Sequence, residues 1–133
     1  MENIFKKDIC DAINKITDEG YSNIKSLNEL PIDKAREILS ILLEFACKGQ
    51  THAYINISRK LILPIQLNWL LENFIIVVET TIDLNDEWEY RRLLELASYI
   101  SKELLKWGVD IGLNSKDTEI KEAAEDFKER VIE

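Results

Sequence analysis

The residue types able to carry chemistry in this chain are few: one histidine, His52, two cysteines, Cys10 and Cys47, and the closely spaced acids Asp83, Asp86, Glu87 and Glu89. His52 lies in the polar stretch KGQTHAY. As a general base it would need a serine, cysteine or carboxylate at motif spacing to orient it, and none is there. As a metal ligand it would need a second histidine four residues on, or a cysteine pair two residues apart. Hydrogen bonding at a helix start is the simpler expectation. Cys10 and Cys47 show neither metal-ligand spacing nor the density of a secreted disulfide framework, and read as ordinary buried thiols. A calcium loop would alternate its ligands around a central glycine and end on a distal glutamate, which the acids near Asp83 do not do. Those acids fit a helix start, where carboxylates meet orphan amides and the positive end of the helix dipole. No glycine-rich phosphate loop is present. The expectation is a protein that is not an enzyme, with no catalytic residue, cofactor or metal.

Charge narrows the partner classes. The net charge of −8 is unevenly spread. Residues 1–30 carry 4 basic and 6 acidic side chains, residues 31–65 carry 5 and 3, and residues 66–133 carry 8 and 16. Nucleic-acid binding wants a basic stripe, the reverse of this C-terminal half. A basic protein partner is permitted, because complementary fields speed encounter, while charge alone is read more simply as a solvated, solubilising surface. The N-terminus MENIFKKDICDAINK has charges interrupting every apolar stretch, unlike a signal peptide. The longest apolar run, Phe74–Val78, is far short of the roughly 20 residues that cross a bilayer. The expectation is a cytoplasmic protein with no membrane association.

With 46% hydrophobic and 32% charged residues, and only four glycines and two prolines, composition favours helices over a turn-rich β fold. Apolar spacing marks a first helix through Ile4, Phe5, Ile9, Ile13 and Ile16, with Asn3 as its cap and Gly20 as its stop. Tyr21, Ile24, Leu27 and Leu30 then recur three apart, ending at Pro31. Asp33 stands as a cap before KAREILSILLEFACKG, which is apolar nearly all round and so belongs in the middle of the protein. A helix over Thr51–Leu63 ends at Pro64. Asn68 caps WLLENFIIVVETTI, whose β-branched part, residues 73–82, also reads as a buried strand; the absence of a partner strand favours helix. Asp86 and Glu89 form a capping box before Tyr90, Leu93, Leu94, Ala97 and Ile100. Ser101 or Lys102 begins a helix that ends near Gly112, and Asp117 or Ser115 caps the last one, with Ile120, Ala123, Ala124, Phe127 and Val131 inward.

LNDEWEYRRLLELA and LNSKDTEIKEAAEDF say nearly the same thing 30 residues apart: Tyr90 matches Ile120, Leu93 matches Ala123, Leu94 matches Ala124 and Ala97 matches Phe127. Repetition lets helix pairs that cannot bury their faces alone supply each other's core. The second stretch resembles the second helix of HEAT-like (armadillo-type) repeats, with Asp117, Ile120, Lys121, Ala123 and Ala124 in the Asp, apolar, basic, small pattern. The first is similar through Asp86, Tyr90, Arg91, Leu93 and Leu94, although Leu93 and Leu94 are larger than the small residues common there. The resemblance spans about residues 33–133. It implies an all-α fold of about six to eight helices, an α-α superhelix of stacked antiparallel pairs forming a single domain over residues 1–133. Residues 1–32 would be capping helices, and 33–65, 66–100 and 101–133 the pairs. It also implies protein–protein binding without catalytic machinery.

Trp69 and Trp107 are expected to plug core gaps, and Trp88 to lie half exposed in the first turn of its helix. Glu89, Arg92, Leu96, Tyr99 and Glu103 follow at spacings of 3, 4, 3 and 4 on a face offset from the core stripe. With Trp88 they form the candidate partner-binding surface, since aromatic anchors dominate interface energetics; the alternative is that Leu96 and Tyr99 pack on a neighbouring pair. The leading functional expectation is a protein-binding module, an acidic immunity-type inhibitor of a basic toxin being one concrete case. The alternative is a structural or adaptor subunit that self-associates or docks into an assembly. A ligand carrier or enzyme with a pocket between helix pairs stands third.

Overall fold

Every regular element in the computed structural model, which describes residues 2–132, is helical. In chain order these are α1 (Glu2–Asn14), a 3-10 segment (Tyr21–Glu29), α2 (Ile32–Leu43) running into a π turn (Glu44–Lys48), α3 (His52–Ile62), α4 (Leu67–Thr81), α5 (Glu87–Ile100), α6 (Lys102–Leu113) and α7 (Thr118–Ile132). The all-α class read from composition therefore holds, and the ambiguous FIIVVETT is helix through Thr81. The elements fall into two compact units, Met1–Thr81 and Ile82–Glu133. The division lies inside the 66–100 stretch expected to form one helix pair.

In the first unit α2 is central, packed by α1, the 3-10 segment, α3 and α4. Its Ala35, Ile38, Leu39, Leu42 and Leu43 are completely buried, as an all-round apolar helix requires. Polar bonds fix the partners. Arg36 Nε donates to Asn73 Oδ1 (2.9 Å), and the buried Asn73 donates through Nδ2 to the Trp69 carbonyl (2.9 Å). Ser40 and Thr81 hydroxyls meet at 2.8 Å. Tyr54 stacks edge-on against Phe5 (4.8 Å between centroids), lies 5.1 Å from the Phe45 ring, and donates to Asp8 Oδ2 at 2.6 Å. That hydrogen bond to a carboxylate, followed by burial, raises the Tyr54 hydroxyl's pKa.

Several helix boundaries here differ from expectation. Asn3 falls inside α1 rather than capping it, and α1 stops at Asn14, six residues before Gly20. Ile4 is exposed, while Ile9 and Ile13 carry the helix's burial. Tyr21–Glu29 is 3-10 helix interrupted by a kink at Ser26 (φ −112°, ψ 33°), and Tyr21 and Ile24 before the kink are one 3-10 turn apart. α2 starts from Pro31, whose fixed φ suits a helix entrance, and Asp33 sits in its first turn without capping it. Thr51 caps α3 by accepting the Tyr54 amide at 3.4 Å, which leaves His52 as the exposed first helical residue. Asn68 lies inside α4.

The second unit is α5, α6 and α7 packed on one another. Tyr90 is its largest fully buried side chain. Its hydroxyl donates to the Gly108 carbonyl at 2.7 Å, and burial pushes its pKa up to about 12, with the Gly112 backbone pulling the other way. The ring fits because Gly112 faces it without a side chain, while Gly108 leaves room for Leu94, whose Cδ2 would lie 2.8 Å from a Cβ there. A Cβ on Gly112 would land on the Tyr90 hydroxyl and 2.7 Å from Ala124 Cβ. Ile120, Ala123 and Ala124 are buried, so three of the four residue pairs 30 apart are buried in both members; in the fourth, Ala97 is buried and Phe127 half-buried. In α6, Leu104, Leu105, Gly108, Val109 and Gly112 are the buried positions, and Trp107 and Ile111 stay half-buried.

Candidate functional site

The first turn of α5 accounts for most of the acids that could have suggested ion binding. Asp86 has extended backbone and accepts the Glu89 amide through Oδ1 at 3.0 Å. The Glu89 carboxylate reaches past the Asp86 amide, which bonds the Asp83 carbonyl, and accepts the Asp83 amide at 3.1 Å. The capping box thus closes on Asp83, three residues earlier than expected. Asp83 Oδ1 in turn accepts the Asn85 amide at 2.9 Å. These carboxylates satisfy backbone donors that a helix start otherwise leaves to water.

The candidate surface read from spacing is only partly a surface. Trp88 is 46% and Tyr99 60% exposed, Glu89 and Arg92 are half-buried, and Glu103 is exposed. Leu96 is fully buried, because α5 turns a broad apolar face inward with Tyr90, Leu93, Leu94 and Ala97. The line of side chains is also interrupted. α5 ends at Ile100, and Ser101, at φ −167° and ψ 139°, breaks the chain and caps α6 by accepting the Glu103 amide at 3.1 Å. Glu103 therefore belongs to another helix, and Leu96 is removed from the docking residues.

Trp88, Arg91, Arg92 and Glu95 of α5 instead meet Phe127 of α7 around a groove of ≈ 370 Å³, with Glu87 at its lip. The Arg92 guanidinium lies 4.1 Å over the Trp88 ring and donates to Glu95 Oε2 at 3.3 Å. Arg91 gives Nε to Glu87 Oε1 (3.0 Å) and Nη1 to Asp126 Oδ2 (2.9 Å), tying α5 to α7. Arg130 covers Phe127 at 4.6 Å. Each ion pair is at least partly open to solvent and contributes about 0–1 kcal/mol, so together they set geometry more than stability.

On α7, Glu119, Glu122, Asp126 and Glu129 recur at helical spacing and are all exposed. Glu119 stands against Glu87, and that carboxyl–carboxyl hydrogen bond raises its pKa, reinforced by the charges of Glu87 and Asp117. The acidic stripe was present in the sequence as that spacing. Its relation to α5 was not, since only folding brings Asp126 and Glu119 to Arg91 and Glu87.

The first unit has grooves of its own. One of ≈ 470 Å³ is lined by Phe45, Gly49, Gln50, Thr51 and Tyr54 with the opposite charges Glu44 and Lys48. Another of ≈ 340 Å³ carries Lys6, Tyr21, Asn56 and Lys60. Among the described residues, no three His, Cys, Asp or Glu side chains gather as metal ligands would, and no helix is long and apolar enough to cross a membrane. Cys47 is buried, and Cys10 is half-buried with the Asn14 amide group 3.3 Å from its sulfur. Compared with known proteins, the chain matches no family model, no curated protein and no solved structure.

Proposed function

We propose that this is a non-catalytic, HEAT-like protein-binding domain of the cytoplasm that uses the acidic α5–α7 face to hold a basic protein. The observation that carries this reading is the groove where exposed Trp88 meets half-buried Phe127, on the same unit as the exposed α7 carboxylates Glu119, Glu122, Asp126 and Glu129. Residues 82–133 hold 14 acidic and 8 basic side chains, a net charge of −6 that would speed encounter with a positive surface. An apolar centre with a charged rim is the anatomy of a protein interface. Small size and an acidic surface also suit an immunity-type inhibitor of a basic toxin.

Capture experiments with the whole chain as bait test the reading. Wild type is compared with the exposed charge reversals Glu119→Lys and Glu122→Lys together, at low and at high salt. A basic protein bound by wild type and released by both the reversals and salt supports the role; protection on co-expression with that protein marks it as an inhibitor. Identical capture by both baits, or none, rejects it. The second reading, self-association, draws on exposed Leu63 and Leu67 flanking Pro64. Concentration-dependent sedimentation of the chain alone would favour it.

A further inference from the structure

We infer that the α5–α7 groove receives a short basic segment of the partner protein, seating one large apolar side chain between lysine or arginine neighbours. This rests on the protein-binding role proposed above.

The sign of the ligand comes first. Arg91 and Arg92 both line the groove, and two arginines would ordinarily draw a phosphate or carboxylate. Here each is already compensated: Arg91 by Glu87 and Asp126, Arg92 by Glu95. An incoming anion would have to displace those carboxylates while approaching exposed Glu119, Glu122 and Glu129 on α7. A cation meets the opposite situation. The charges of Glu87, Asp117 and Glu122 all oppose that of exposed Glu119, so a partner's ammonium or guanidinium there relieves repulsion as well as forming a bond.

Size and lining decide the rest. A volume of ≈ 370 Å³ is near the lower end of the roughly 300–1,000 Å³ typical of small-molecule pockets, which suits one large side chain. Trp88, with one face covered by Arg92, and Phe127, under Arg130, supply apolar walls already held in place. A buried anchor contributes most of the affinity in such contacts, and rim charges mainly set encounter rate and salt dependence.

The test uses the full chain and synthetic peptides: lysine pairs flanking a central leucine, the same with alanine at the centre, and glutamate pairs flanking leucine. The indole N–H of Trp88, assigned with Trp88→Phe, reports occupancy by NMR. The lysine–leucine peptide is expected to shift that signal and to bind at least tenfold more tightly than either of the others. Glu119→Lys, a change at an exposed site, should weaken it by a similar factor. Equal binding of all three, preference for glutamate, binding that leaves Trp88 unmoved, a shift caused by inorganic phosphate instead, or no binding overturns the inference. Should the peptides fail while the charge reversals still abolish capture of a basic protein, the groove is wrong and the binding role stands. If wild type captures nothing, the role itself fails.

Discussion

In the Ile82–Glu133 unit every helix begins on a side chain that accepts a backbone amide: Asp86 from Glu89, Ser101 from Glu103, and Asp117 from both Glu119 and Ile120. In the Met1–Thr81 unit α2 starts on Pro31 with no such bond, and the Thr51 cap of α3 is long at 3.4 Å. That unit relies on contacts distant in sequence, such as Arg36 with Asn73, Ser40 with Thr81 and Asp8 with Tyr54. Local signals worth about 1 kcal/mol each place helix ends in one unit. Tertiary packing places them in the other.

This contrast explains what the sequence made legible. Asp86, Ser101 and Asp117 could be read as caps because each bonds within three residues of itself. Asn3, Asp33 and Asn68 have the right chemistry in the wrong places, and no local rule distinguishes them. The 3-10 segment was visible as the spacing of Tyr21 and Ile24, a period that differs from the α-helical one. The candidate site divides in the same way. Half-exposed Trp88 followed from its position in a first turn. Buried Leu96 did not, because the width of the buried face of α5 is set by what packs on it. Phe127 and the α7 acids entered the site through a contact 35 residues long, Arg91 with Asp126.

Overfilling the second unit is the strongest way to break the comparison. Gly112→Ala puts a methyl group on the Tyr90 hydroxyl and against Ala124. A cost of about 3 kcal/mol is expected by urea unfolding, at the upper end for overpacking. Adding Tyr90→Phe should return part of it, a coupling that a double-mutant cycle isolates. Additive losses would show that Tyr90 is not the obstacle.

Alkaline pH acts on the same residue. The Tyr90 pKa is raised from 10.0 to about 12, so its contribution is fully present below pH 10 and is lost as pH rises through 12. The loss is on the order of 2 kcal/mol. Tyr90→Phe should flatten this part of the stability–pH curve, and an unchanged slope would assign it to other groups. Half-buried Tyr54, raised by its hydrogen bond to Asp8, adds in the same direction.

The first unit contains a small defect of its own. Ser58 Oγ is completely buried and has no hydrogen-bond partner among the described residues. Ser58→Ala removes an unsatisfied hydroxyl and improves helix propensity, so stability should rise by about 1 kcal/mol. A loss on thermal unfolding would mean that the hydroxyl has a partner in solution.

The smallest effect separates folding from binding on the acidic face. Glu119 has a raised pKa, first because its protonated carboxyl hydrogen-bonds Glu87 and then because Glu87 and Asp117 oppose its charge, so it favours the fold below the usual carboxylate range. That contribution disappears as pH rises through the raised value, leaving net repulsion at neutral pH. Glu119→Gln should therefore give a slight increase in Tm at pH 7 and none at pH 3, where both chains are neutral at that position. The same change removes a carboxylate from the exposed acidic stripe of α7 and should weaken capture of the basic partner. A carboxylate kept only for folding would not show these opposite signs, since its removal would lower Tm. One retained for recognition does, because the repulsion it costs the free protein is relieved only when a cation arrives.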